Sequence, residues 1–148
     1  MLFESLLMVA AIGFSDGPKV DMSEAPKAEP AKSAEAVPLF PAERQVVQWT
    51  NAQRKRYGLP PLVVDASLVK TARNHTFWMA SAQSLQHAHG AWAENIAQGQ
   101  TSAQHAVSCW MNSSGHRANI LNRRHRRIGV AGFLGRNGQV YWCQQFKE

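Results

Sequence analysis

The sequence predicts an α+β domain, and three observations carry the prediction. Apolar residues recur at helical spacing through the first part of the domain. The period is lost over residues 84–100, which carry Gly90 and Gly99. The chain then turns strand-like over residues 128–146, around an Asn137-Gly138 pair that favours a tight hairpin. Helices first and antiparallel strands last is the order of an α+β fold.

Taken in order, residues 1–14 form an apolar leader in which Leu6 to Ile12 has about the length of a signal-peptide h-region. Glu4 stands where such a signal carries a positive charge, and no small-x-small cleavage site follows. Two readings stay open: a degenerate export signal, and a short anchoring or non-functional leader. Residues 15–37 run through Pro, Ala, Glu, Lys and Ser with too little apolar surface to offset their ordering entropy, and read as a disordered linker. The folded domain is expected over residues 38–148.

Pro41 suits the first turn of a helix in which Ala42, Val46, Trp49, Ala52 or Gln53, and Tyr57 share one stripe, and Gly58 with Pro60-Pro61 stops it. Asp65 is the expected N-cap of a second helix, with Leu68, Val69, Ala72, His75, Thr76 and Met79 on one face and an end near Ala82. Residues 84–100 read as an extended loop with a short strand around Leu85 to His89. Thr101 with Gln104 forms a capping-box pattern ahead of Ala103, Val107 and Trp110 on a third helix. Asn112-Ser113-Ser114-Gly115 breaks it, and a short helix follows around His116 to Leu121 with Ser113 or Ser114 as its cap. Two strands, Ile128 to Leu134 and Gln139 to Phe146, close the chain across a turn at residues 135–138. The sequence contains no internal repeat.

With 45% hydrophobic and 18% charged residues in 148, disorder throughout is excluded. No apolar run approaches the roughly 20 residues of a membrane-spanning helix. Charge is divided unevenly: six of the ten carboxylates precede residue 38, whereas residues 38–148 hold 13 Lys and Arg against Glu43, Asp65, Glu94 and Glu148, together with all six histidines. Such a basic domain suits nucleic acid, anionic lipid or acidic cell-wall polymer equally well. Arg54-Lys55-Arg56 and the group Arg123, Arg124, Arg126 and Arg127 around His125 are the basic clusters. A solvated surface is their simpler reading, because no nucleic-acid-binding motif accompanies them.

Cys109 on the third helix and Cys143 on the last strand are 34 positions apart and match no metal-binding spacing. A disulfide between them is the expected reading, and two separate buried thiols are the alternative. The disulfide would contribute roughly 3 to 4 kcal/mol and imply an oxidising compartment.

The order of segments resembles the CAP superfamily (cysteine-rich secretory proteins, antigen 5 and pathogenesis-related 1 proteins, the SCP domain), and most closely its short bacterial branch. The resemblance runs from Thr50-Asn51-Ala52-Gln53-Arg54 and Gly58-Leu59-Pro60-Pro61-Leu62 through Ala72-Arg73-Asn74-His75 and Leu85-Gln86-His87. It continues in Ala93-Glu94-Asn95-Ile96-Ala97, Trp110-Met111-Asn112-Ser113 and Gly115-His116-Arg117-Ala118-Asn119-Ile120-Leu121-Asn122, and closes on Arg127-Ile128-Gly129-Val130 and Tyr141-Trp142. It implies a three-layer α-β-α sandwich, an extracellular or cell-envelope location, and a groove lined by two histidines and two glutamates. By motif these are His87, Glu94 and His116, with the second glutamate missing, since residues 95–147 contain no Asp or Glu. Ser114 also stands where short bacterial members commonly have proline.

His87, His116 and Glu94 form a ligand set for zinc or another divalent metal with an open coordination position, provided the fold brings them together. The same three groups could position a water as general acid and base, the bare requirement of a metal-assisted hydrolase. Equally, Glu94 could be a buried carboxylate held by backbone N–H groups and an imidazolium, with no chemistry of its own. His89 is an alternative ligand or rim residue, Trp92 is a groove-lining candidate, His75 reads as a satisfied core histidine, and His105 as a solvated helix residue. The leading expectation is a monomeric binding or interaction module whose ligand, by resemblance, is a lipid, a sterol or envelope glycan. A hydrolase using the same groove and a basic surface for anionic polymer are the alternatives, with no transmembrane span and no specific nucleic-acid partner expected.

Overall fold

The computed structural model describes residues 37–90 and 92–148. The leader at 1–14 and, apart from residue 37, the linker at 15–37 lie outside them. The elements are α1 (Pro41–Arg56), β1 (Val63–Val64), α2 (Ala66–Ala82), β2 (Ala93–Gln98), α3 (Ala103–Asn112), α4 (Ser114–Ile120), β3 (Arg127–Leu134) and β4 (Val140–Lys147). The strands form one sheet in the order β1-β3-β4-β2, antiparallel except for β1 beside β3.

Local signals place most boundaries. Pro41 begins α1, and Gly58, at φ +67°, takes the left-handed conformation that ends it. The Asp65 carboxylate accepts from the Ser67 and Leu68 N–H groups and caps α2. The cap of α3 is Ser102, whose hydroxyl accepts from the His105 N–H, one position after the expected Thr101. The short strand expected around Leu85 to His89 is absent: those residues carry no regular structure, and the strand lies at 93–98, where β4 offers a pairing partner. The two-residue β1 has no sequence signal of its own. It exists because Asn51 of α1 brackets Leu62, accepting from its N–H at 2.8 Å and donating to its carbonyl at 3.0 Å, which leads the chain alongside β3.

The sheet separates two cores. One face packs Ile128, Val130, Trp142 and Phe146 against Val46 of α1, Ala103, Ala106, Val107 and Trp110 of α3, and Ile120 of α4. The other packs Ile96, Ala131, Tyr141 and Cys143 against Ala72, Met79 and Ala80 of α2. This is the three-layer α-β-α arrangement, and the alternation of side chains along each strand produces it. Gly129 lets α2 approach closely, since a Cβ there would lie 2.1 Å from the Leu68 carbonyl carbon.

The same alternation corrects the cysteine reading. Cys143 lies in the α2-side core, whereas α3, which carries Cys109, packs on the opposite face through Ala103, Ala106, Val107 and Trp110. Both thiols are free, Cys109 half-buried and Cys143 buried.

Arg54 is fully buried and donates to four backbone carbonyls: Pro60 (2.9 Å), Ile120 (2.8 Å), Asn122 (2.9 Å) and His125 (3.3 Å). Glu43, also buried, receives a two-pronged ion pair from Arg73 of α2 at 2.8 and 2.7 Å and pins the start of α1 to that helix.

Two outcomes follow from this packing. Arg54→Met strands several buried carbonyls and should lower unfolding stability by about 3 kcal/mol or more, read from the urea midpoint. Thiol titration of the native protein should label Cys109 readily and Cys143 only on unfolding, and a reductant should leave the melting temperature unchanged.

Candidate functional site

The site lies at β2, which stands at the edge of the sheet. Glu94 pairs across the strands with Gln145 of β4, and both are buried. Its carboxylate is saturated. Oε1 lies 2.9 Å from both the Ala88 N–H and His87 Nδ1, while Oε2 accepts from Gln145 Nε2 at 2.8 Å and from the Cys143 thiol at 3.5 Å. A carboxylate offers about four lone-pair positions, so none is left over.

Gln145 is held in turn by Thr71 of α2, whose hydroxyl donates to its Oε1 at 2.6 Å. The chain Thr71, Gln145, Glu94, His87 therefore runs from the α2 layer to the surface. His87, with its side chain 60% exposed, has Nδ1 engaged by Glu94 and presents Nε2 outward.

A second network positions His116. Asn95 of β2 donates to the His116 carbonyl at 3.1 Å and to Gln144 Oε1 at 3.2 Å. Gln144 donates to Thr50 of α1. Asn119 of α4 donates to Asn95 Oδ1 at 2.9 Å and to the Glu94 carbonyl at 3.2 Å. These bonds set α4 against β2 with His116 half-buried and its imidazole within the electrostatic reach of His87.

Each titration has a physical cause. Burial alone would raise the Glu94 pKa, but the bonds from Gln145, Ala88 and His87 and the field of His75 outweigh it, and the net direction is down. Burial, then the neighbouring His87, lowers the His116 pKa. Burial pushes the Cys143 thiol well up, and the Glu94 charge adds to it, so this thiol stays protonated.

Of the remaining candidates, His89 is exposed on the loop, and His105 is exposed on α3. Trp92 is half-buried and packs against Gly90, and among the described residues its Nε1 has no hydrogen-bond partner. His75 is satisfied as expected, with Nε2 2.7 Å from the Gln86 carbonyl and its ring stacked on Trp78, yet it also lies 3.9 Å from Glu94 Oε1. Among the described residues, no group of three or more His, Cys, Asp or Glu side chains has the geometry to hold a metal ion. Sequence reasoning missed Thr71, Gln145, Asn95, Asn119 and Gln144. Two adjacent glutamines inside the apolar run 140–146 were the one visible signal.

The basic clusters are partly tied down. Arg54 is buried, Arg124 pairs with Glu148 at 2.7 Å and Arg127 with Asp65 at 3.6 Å, and His125 is buried and stacked on Phe146.

A three-layer sandwich with a glutamate-anchored histidine and a second histidine presented from a short helix defines a CAP-type domain. The chain belongs to the cysteine-rich secretory protein (CAP) family, whose sequence signature matches residues 47–146. It is 37% identical over 121 residues to the uncharacterized protein YkwD of Bacillus subtilis, covering 70% of this chain and 46% of that protein. The curated relatives are covered over 20% to 64% of their own lengths. Among solved structures, an extracellular SCP-domain protein from Bacillus anthracis superposes with a TM-score of 0.61 at 24% identity, covering 74% of this chain and 45% of that one. NaASP2, solved with Zn2+, superposes with a TM-score of 0.58 at 14% identity over 71% of this chain and 78% of that one. Among the described residues, no helix is long and apolar enough to cross a membrane.

The titrations predict an acid-sensitive fold. His116 and His125 both have folded pKa values below the ordinary 6.5. For His125 burial is the main cause, opposed by the Asn119 carbonyl and aided by the Arg54 charge. Their unfolded forms bind the extra protons, so stability is full above about pH 6.5 and falls as pH drops toward the folded values. Glu94 adds a second loss below about pH 4.5, as it protonates through its depressed folded pKa. Melting temperature measured against pH should show both steps, and His125→Gln should flatten the first.

Proposed function

We propose that this is an extracellular binding module, with His87 Nε2 and His116 presented in a groove and Glu94 serving to orient them. The observation that carries the reading is the saturation of Glu94: with its lone pairs taken and its pKa lowered, it is a poor general base and a poor direct metal ligand. No activated nucleophile lies beside it, since the Cys143 thiol is held protonated. The hydrolase alternative therefore has no supporting observation.

The donor chemistry fits a divalent metal held by two neutral imidazoles, with Glu94 fixing the tautomer of His87 from behind, as carboxylates commonly do for metal-bound histidine. When bound, such a metal would supply positive charge and open coordination positions to a ligand's oxygen atoms. His116, whose lowered pKa keeps it neutral at pH 7, is ready to coordinate. An extracellular location is supported by one relative named as secreted and by the Bacillus anthracis protein described as extracellular, and lipid, sterol or envelope glycan are the ligand classes to screen.

Calorimetric zinc titration of the full chain is the test. We expect weak, saturable binding that is lost in His87→Ala and in His116→Ala, and reduced about tenfold or more in Glu94→Gln. Binding that survives both histidine variants, or ester turnover that disappears in Glu94→Ala, would overturn the reading.

A further inference from the structure

We infer that the open end of β3, with the groove beside it, is a docking edge for an extended peptide that carries a carboxylate. β1 pairs only with Arg127 and Ile128, whereas β3 continues to Leu134. Two bonds fix where its later backbone groups point. Gly135 donates to the Gln139 carbonyl at 2.8 Å, so by alternation Ala131 and Phe133 turn their N–H and C=O groups toward β4. The Asp65 N–H donates to the Ile128 carbonyl at 2.9 Å, so the intervening residues face the other way. Past the end of β1, the N–H and C=O groups of Gly132 and Leu134 therefore point out of the edge of the sheet, and both residues are exposed.

The side chains around this edge are apolar, with one cation. A groove of about 460 Å³ runs between the C-terminal half of α2 and the β3–β4 turn, and Phe77, Phe133, Leu134 and Arg136 line it. Phe77 and Phe133 meet edge to face with ring centroids 5.4 Å apart, yet they stay 58% and 40% exposed, and Leu134 is 64% exposed. The groove has no carboxylate in its lining, and Arg136 forms no ion pair among the described residues. The Asp and Glu side chains of the domain are engaged elsewhere: Glu43 with Arg73, Asp65 at the α2 cap, Glu94 with His87 and Glu148 with Arg124.

An unpaired strand edge offers donors and acceptors at the spacing of another extended backbone, and pockets beside it read alternate side chains. The faces of Phe77 and Phe133 suit a large apolar side chain on the added strand, and the Arg136 fork suits an Asp or Glu near its end. A second copy of this chain would bring no free carboxylate to Arg136. A lipid surface would leave the backbone groups of Gly132 and Leu134 without partners.

Calorimetry and amide NMR spectra of the full chain test the inference, with the acetylated and amidated peptide TVTFVEE as probe and TVTFVKK as its charge-reversed control. We expect saturable one-site binding of the acidic peptide, at least tenfold tighter than that of the basic one, with slowed amide exchange at Gly132 and Leu134. N-methylation of alternate peptide residues should abolish binding in one frame and spare it in the other. Leu134→Pro, which removes an outward N–H that β4 does not use, and Phe77→Ala should each weaken binding about tenfold. Arg136→Glu should reverse the preference between the two peptides. These side chains are exposed, so the fold, checked by circular dichroism, is expected to survive, and Arg123→Gln on another loop should leave binding unchanged. Failure of the acidic peptide to bind would overturn the proposal, as would equal binding of the two N-methylated forms. So would a dimer in sedimentation that Leu134→Pro dissociates, or binding to phosphatidylglycerol vesicles that the same variants abolish.

Discussion

A buried arginine without a carboxylate partner organises one side of the molecule. Arg54 stays charged although burial, and then the nearby Arg126, lower its pKa, because four carbonyl oxygens converge on it. Two of them, at Ile120 and Asn122, come from the C-terminal end of α4 and the residues just after it, where helix carbonyls carry partial negative charge. The same guanidinium therefore joins the turn after α1, the end of α4 and the approach to β3. Without that junction, α4 would lose one of its two anchors, and the placement of His116 depends on α4.

The other anchor is the polar layer on β2. Gln144 and Gln145 are neighbours in sequence and point to opposite faces of the sheet. Gln145 looks toward α2 and holds Glu94, while Gln144 looks toward α1 and holds Asn95. Through these two residues the helical layers position His87 and His116 separately, and the two networks meet at β2, the edge strand of the sheet. Buried polar networks of this kind specify one arrangement when every member is satisfied.

Charge is distributed by the same logic. The domain is strongly basic in composition, and four of its 13 Lys and Arg residues are internal or paired: Arg54 is buried, Arg73 locks Glu43, Arg124 takes Glu148 and Arg127 takes Asp65.

Much of the architecture was legible in the sequence because it is locally encoded. Pro41, Gly58, Asp65 and the Asn137-Gly138 turn act within a few residues of themselves, and the periodic stripes of α2 and α3 bury as their spacing requires, whereas α1 keeps only Val46 of its expected stripe inside and buries Glu43, Thr50 and Arg54 beside it, because those polar side chains find partners in the other layers. His87, Glu94 and His116 were singled out by their motif context, and the Glu94–His87 hydrogen bond is what the structure adds to it. The relation of Cys109 to Cys143 was not legible, because which sheet face a strand residue takes depends on register, and register is set by partners far along the chain. The same holds for β1, for the true position of β2, and for the roles of Thr71, Gln145 and Asn119. Sequence alone determined which helices form and which side chains are candidates for the site. Only the tertiary structure decided what those residues touch, because hydrogen bonds such as Thr71 to Gln145 join positions that nothing local connects.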